Sequence, residues 1–309
     1  MDKIIYRKAL PTDLPSFVDC IKSVYGEHSY YTRFYDADFV RSIEDRIFVA
    51  VFDGKVVGTT VLSDWGYKHR DFEISTLVVR KEMSGKNIAR KLSGFALDKV
   101  SDLPSVKGAV VTSHEISQVL AKDFGYFASS ILYGVFMNKS PLVLVVHNFH
   151  VKDVGRINVP EDLLPFAENL YSKLGASYEI APFEPAGLIP HIPSNSDIWH
   201  EHDAHFQYLD IYVMTYGKDC KARIAEIERA CAQPRLTVNI FIDMHDPLAR
   251  IAYKSLMEDG CVYTGFMPLS SGSEFIILHK PLCTDMHPEE MNLISSMRTE
   301  LSDIGIDLK

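Results

Sequence analysis

The stretch FEISTLVVRKEMSGKNIARKLSGFAL, Phe72 to Leu97, constrains the chain most, because its hydrophobic period changes partway along. Ile74, Thr76, Leu77, Val78 and Val79 make a strand-like run of apolar and β-branched residues. After a short polar loop, Ile88, Leu92 and Phe95 recur at the spacing of one helix face. Strand, loop and helix in that order leave the first N–H groups of the helix directed at the loop. Gly85 lets the backbone come close to a ligand and Lys86 adds a charge at the helix start, so the loop suits an anion, phosphate best.

A chain of 309 residues predicts two domains, with one large α/β unit as the alternative, and a hydrophobic share of 47% is enough for a full core. The net charge of −9 argues against nucleic acid or an anionic membrane surface as partner. No apolar run approaches the ~20 residues of a membrane span, and MDKIIYRKALPTD has no signal-peptide core. Cys20, Cys220, Cys231, Cys261 and Cys283 are odd in number and lack CxxC spacing, which predicts reduced thiols and a cytoplasmic protein.

Upstream of the central stretch, Lys3 to Lys8 alternate as a first strand, and Pro11-Thr12-Asp13 caps a helix carrying Leu14, Phe17, Val18 and Ile21. The aromatic segment Tyr25 to Tyr35 reads as pocket lining or as a packed corner, and Phe39 to Ile43 as a second helix. Asp53-Gly54 joins two β-rich runs, Ile47 to Phe52 and Val56 to Leu62, as a hairpin. Downstream come a strand from Lys107 to Ser113, a helix from Glu115 to Phe124, and a β run from Phe127 to Met137. Between Pro141 and His205 prolines and glycines become frequent, leaving a strand (Leu142 to Val146), a helix (Glu161 to Leu174) and a long loop. Regularity returns with a strand Tyr208 to Met214, a helix Cys220 to Cys231, a strand Leu236 to Ile242, a helix Leu248 to Met257 and a hairpin from Val262 to His279. That order repeats the latter part of the first domain.

The window Ser84-Gly85-Lys86-Asn87-Ile88-Ala89 resembles the acyl-CoA motif of the GNAT superfamily of N-acetyltransferases, Arg/Gln-x-x-Gly-x-Gly/Ala. Gly85 and Ala89 fit; Ser84 replaces the usual Arg or Gln, and Asn87 the usual Gly, though asparagine tolerates positive φ. The element order from Lys3 to Asn138 is likewise that of a GNAT domain, and Asp246-Pro247-Leu248-Ala249, Gly260 and Gly265-Phe266-Met267-Pro268 resemble the end of a second. The resemblance implies an α/β (α+β) chain of two tandem GNAT-like domains, 1–140 and 141–309, each a mixed, mostly antiparallel sheet flanked by helices. It implies acetyl-CoA as acyl donor, with Leu77, Val78 and Val79 pairing the pantetheine amides and Ser84, Gly85, Lys86, Asn87, Ile88 and Ala89 holding the pyrophosphate. The acceptor is an amine of a small molecule or peptide, and a homodimer stays open. In the second unit, Thr215-Tyr216-Gly217-Lys218-Asp219 lacks the glycine spacing and sets a carboxylate at the helix start, so that unit is expected to bind no CoA and to shape the acceptor site instead.

An amine must be neutral to attack a thioester, so a nearby base helps. Glu73 stands at the offset of the general-base glutamate in the histone acetyltransferases of the superfamily; the other reading is a solvated or arginine-paired carboxylate. His114, past the next strand, is a second candidate. The tyrosine that protonates the leaving thiolate in many relatives falls on Ala121, which leaves Tyr126, Tyr133 or water, both tyrosines reading equally as core. A rival signal is His200-Glu201-His202-Asp203-Ala204-His205, whose histidines share a strand face in a manner suited to a divalent metal. The alternatives to an acetyltransferase are therefore a metal-dependent enzyme and a non-catalytic protein that binds acyl-CoA or a partner.

Overall fold

The computed structural model describes residues 3–26, 32–133, 141–204, 207–232, 236–270, 272–281 and 291–308. Its N-terminal half runs β1 (Ile5–Lys8), α1 (Leu14–Tyr25), α2 (Ala37–Ser42), β2 (Ile47–Phe52), β3 (Lys55–Trp65), β4 (Asp71–Val79), α3 (Ile88–Lys99), β5 (Ser105–Val111), α4 (Ile116–Asp123), β6 (Phe127–Leu132) and β7 (Leu142–Asn148). There follow β8 (Asp153–Ile157), α5 (Leu164–Leu174), β9 (Ser177–Ile180), α6 (Pro185–Leu188), β10 (Asp197–Asp203), β11 (Tyr208–Thr215) and α7 (Cys220–Ala230). The chain ends with β12 (Thr237–Asp243), α8 (Ala249–Glu258), β13 (Val262–Ser270), β14 (Ser273–Lys280) and α9 (Ser295–Asp303).

Local chemistry accounts for the main elements. Ile47 to Val51 are all buried, as a strand covered on both faces must be, and the hairpin turn that follows has Asp53 and Gly54 both at positive φ. On α1, Phe17, Cys20 and Ile21 face the sheet, and the helix stops at Gly26. Among the described residues no helix is long and apolar enough to cross a membrane. Cys20, Cys220, Cys231 and Cys261 are free thiols, while Cys283 lies outside the described residues.

Among the described residues twelve strands make one sheet, ordered β1-β2-β3-β4-β5-β7-β6-β13-β14-β12-β11-β10, with β8 and β9 as a separate parallel pair. The fold is thus mixed α/β with a mostly antiparallel sheet flanked by helices. Within the sheet, β3-β4-β5-β7-β6 run antiparallel, parallel, antiparallel and antiparallel, and β10-β11-β12-β14-β13 repeat those orientations. α3 and α7 bridge the parallel pair of each copy, and α4 and α8 follow the next strand. β7, which the sequence reading sets beyond residue 140, lies between β5 and β6, so the first half of the sheet extends to Asn148.

The copies join where β6 meets β13, with Gly265 opposite Ser130. Lys107, 1% exposed, reinforces the join: its Nζ donates to Leu269 O at 2.8 Å and Ser105 Oγ at 3.2 Å, and lies 3.9 Å from Asp71 Oδ1. Glu274 completes the cluster, accepting from Leu269 N and from Tyr171 O–H. Burial drives the Lys107 ammonium down and the Glu274 carboxyl up, to about 8, the expected penalty for charge held away from water. The C-terminal segment returns to the first half: Glu300 pairs with Lys122 and accepts from Ala128 N, and Gln118 bonds Asn292 and Ile294.

The long loop read between Pro141 and His205 holds β8, β9, α6 and β10, and the terminal helix α9 was not foreseen. β10 reads DIWHEHD, a sheet edge rich in charge, so it carries almost none of the apolar signal that marks an interior strand. The β run expected to reach Met137 ends at Leu132, and 134–137 lie outside the described residues.

Candidate active site

The site begins with a defect in β4. Val61 lies opposite Ser75 but Thr59 opposite Val78, so β4 holds one residue more than β3 at this point. Thr76 absorbs it with φ +54°, a costly value for a β-branched residue, and Thr60 Oγ1 ties the bulge by donating to Ser75 O at 2.8 Å. On its other side β4 shares one registered pair with β5, Glu73 with Lys107, whereas β5 and β7 pair over seven positions. Along Leu77, Val78 and Val79 no registered pair with β5 follows among the described residues. The Val78 side chain is buried, so the strand offers its backbone there.

The loop after β4 leads into α3 with Gly85 at φ +75° and Asn87 at φ +59°, ψ +27° as N-cap. The Asn87 side chain makes no cap hydrogen bond, and no protein atom lies within 4 Å of where a Cβ on Gly85 would stand. Lys86 lies over the Phe52 ring with Nζ 3.4 Å from Met83 Sδ. Ile88 is buried with Ala50, Val57 and Met83, anchoring the helix start, while Ser84 is exposed and Ala89 partly so.

Below the bulge a cavity of about 480 Å³ opens between the two halves of the chain. Glu73, Ser75 and Thr76 line it from β4 and Asp64 from β3; β10 and β11 add Glu201, Asp203, Tyr208 and Asp210. Glu73 keeps some surface toward the cavity, yet protein surrounds the carboxyl closely enough that burial pushes it up to about 7, against the pull of Arg33 and a hydrogen bond from Ala109 N–H. Burial also raises Asp210 to about 7, opposed by a hydrogen bond from Asn239 and aided by Glu201. Both groups bind protons in the folded state that the unfolded chain, at about 4, releases. Their stability contribution is complete below about pH 4 and disappears as pH rises through about 7. Thermal melting between pH 5 and 8 should show Tm falling, and Glu73→Gln should lose less over that window, by on the order of 1–3 kcal/mol; an equally steep fall in the variant would remove Glu73 as a cause.

The other predicted groups stand apart from this cavity. His114 is exposed between β5 and α4, its carbonyl accepting from Gln118 Nε2. Tyr126 is buried against His147, and burial with the nearby Glu73 charge holds its phenol well up; Tyr133 is buried against His279. Ala121 is core. The pleat of β10 sends Glu201 and Asp203 to the cavity and His200 and His202 to the opposite face, while His205 lies outside the described residues. Among the described residues no three His, Cys, Asp or Glu side chains are grouped to hold a metal. The lining contributed by Arg33, His69, Glu201, Asp203, Tyr208 and Asp210 has no local motif; the sheet brings it together from distant segments.

Comparison with known proteins bears on the first half. Residues 13–126 match the model of the Acetyltransferase (GNAT) family. No curated protein matches the chain. Similar solved structures include a NatC complex bound to Gag peptide and CoA (17% identity, covering 47% of this chain and 98% of that one, TM-score 0.40). Two others are yncA from Salmonella typhimurium with its cofactor acetyl-CoA (16%, 48% and 94%, TM-score 0.40) and the ribosomal-protein-S18-alanine N-acetyltransferase from Escherichia coli (11%, 48% and 96%, TM-score 0.40). Over residues 13–126, containing the bulged strand, the open loop and Glu73, the chain carries a domain of the GNAT acetyltransferase family.

Proposed function

We propose that the chain is an N-acetyltransferase that moves an acetyl group from acetyl-CoA directly to an amine while both substrates are bound. The observation that carries this is Glu73, a carboxyl that lines the cavity at the registered pair of β4 with β5 and that burial pushes up to about 7. Glu73 takes a proton from the ammonium form of the acceptor. The freed amine attacks the thioester carbonyl, a C–N bond forms and the C–S bond breaks, and the proton that the nitrogen sheds as the amide forms passes to the departing thiolate. A backbone N–H at the end of β4 polarises the carbonyl, and the Ser84 to Ala89 loop receives the pyrophosphate. Tandem units, 1–148 and 149–309, follow the repeat in the sheet.

The second unit takes no CoA of its own in this reading. β11 and β12, its parallel pair, stay registered over six positions, from Tyr208 with Thr237 to Val213 with Ile242. Its counterpart of the phosphate loop is filled by protein: Gly217 N donates to Ser196 Oγ, Lys218 N to Pro193 O, and Asp219 Oδ1 accepts from Ser196 N and Oγ. Calorimetric titration with acetyl-CoA should give one site per chain, and Gly85→Val should weaken it at least about tenfold, since a β-branched residue resists φ +75° and adds bulk where the loop is open. Two sites, or undiminished binding by folded Gly85→Val, would contradict the assignment. Ser84 and Ala121 favour the second reading, a CoA-binding protein without turnover, and binding with no thiol release from any amine would establish it.

A further inference from the structure

The charge lining the cavity is unbalanced, and the second half of the chain is the cause. Asp64 is matched by Arg46 at 2.6 Å. Glu73, Glu201 and Asp210 then face Arg33 and His69, both of which are exposed. Asp210 is 5% exposed, takes a hydrogen bond from Asn239 Nδ2 at 2.9 Å, and makes no ion pair among the described residues. A carboxylate this far from water is stabilised chiefly by a cation brought to it. Glu201 is near enough to Asp210 to repel it, so one bound cation would relieve both. The space, about 480 Å³, is that of a small molecule and lies between two halves of the chain.

Resting on the acetyl-transfer reading, we infer that the acceptor is a small molecule with at least two amino groups. One is acetylated beside Glu73, and a second, as its ammonium, is held by Asp210 with Glu201. The second unit would then act as the specificity half of the site, reading the end of the acceptor that does not react.

Calorimetric titration of the full chain saturated with CoA separates this from the transfer chemistry. 1,4-Diaminobutane should bind at least about 30-fold more tightly than 1-aminobutane, with 4-aminobutanoate weaker than either. Asp210→Asn should remove most of the diamine advantage and leave the monoamine nearly unchanged; if that variant does not fold, Glu201→Gln at the less buried position serves in its place. Equal binding of diamine and monoamine, or a diamine advantage that survives loss of the carboxylate, overturns the inference. With acetyl-CoA, release of thiol at equal kcat/KM for both amines keeps the transfer reading and overturns this one. A diamine preference in binding without thiol release for any amine overturns transfer and leaves the cation site standing.

Discussion

Replacing Glu73 with glutamine should lower kcat by about 10²-fold or more at neutral pH, with little change in the affinity for acetyl-CoA. The amide keeps the shape of the carboxyl but cannot accept the acceptor's proton. Because the Glu73 carboxyl titrates at about 7, the parent rate should climb as pH rises through that value, where the base becomes charged. The variant should lack that limb and respond only to ionisation of the amine itself. Rate against pH for both proteins, with acetyl-CoA binding measured in parallel, decides it; a variant that keeps both the rate and the limb would place the base elsewhere.

The second large effect concerns the join between the halves. Gly265 sits at φ +127° with its Cα so close to β6 that an added Cβ would stand 2.4 Å from Ser129 O and 2.6 Å from Ser130 Cα. These are backbone and near-backbone atoms, which cannot rotate away. Gly265→Val should therefore cost at least about 3 kcal/mol, lowering Tm by roughly 5 °C. It should also disturb the cavity, whose two walls are set by that join. A variant that melts with the parent would mean that the strands part at this position without consequence.

Much of the first half was legible because its signals are local. Asp53-Gly54 marks its hairpin by dihedral preference alone, and the run Phe72 to Leu97 announces strand, loop and helix by its change of period. Asn87 was readable as a residue fit for positive φ, which it adopts. Glu73 was singled out through the resemblance to the GNAT superfamily rather than by a signal of its own segment. What could not be read was the far wall of the cavity. Asp210 sits in YLDIYVMT, where one carboxylate in an apolar strand carries no hint of what it faces, and Glu201 belongs to a run whose histidines drew attention to the wrong side of β10. Those residues reach Glu73 through the course of a twelve-strand sheet, a property of topology rather than of any short segment.

The return of the C-terminal segment has a consequence for how the polypeptide is made. Ala128 finds its acceptor, Glu300, 172 positions later, and the outer side of β6 waits for β13. During synthesis from the N-terminus, the first unit therefore emerges with an open strand edge and with Lys122 and Gln118 still lacking Glu300, Asn292 and Ile294. Folding one unit at a time, usual for chains with two, would leave these contacts unmade until the rest of the chain arrives. Such a nascent half is the kind of intermediate that chaperones shield, and it makes its last contacts only once Glu300 has been synthesised.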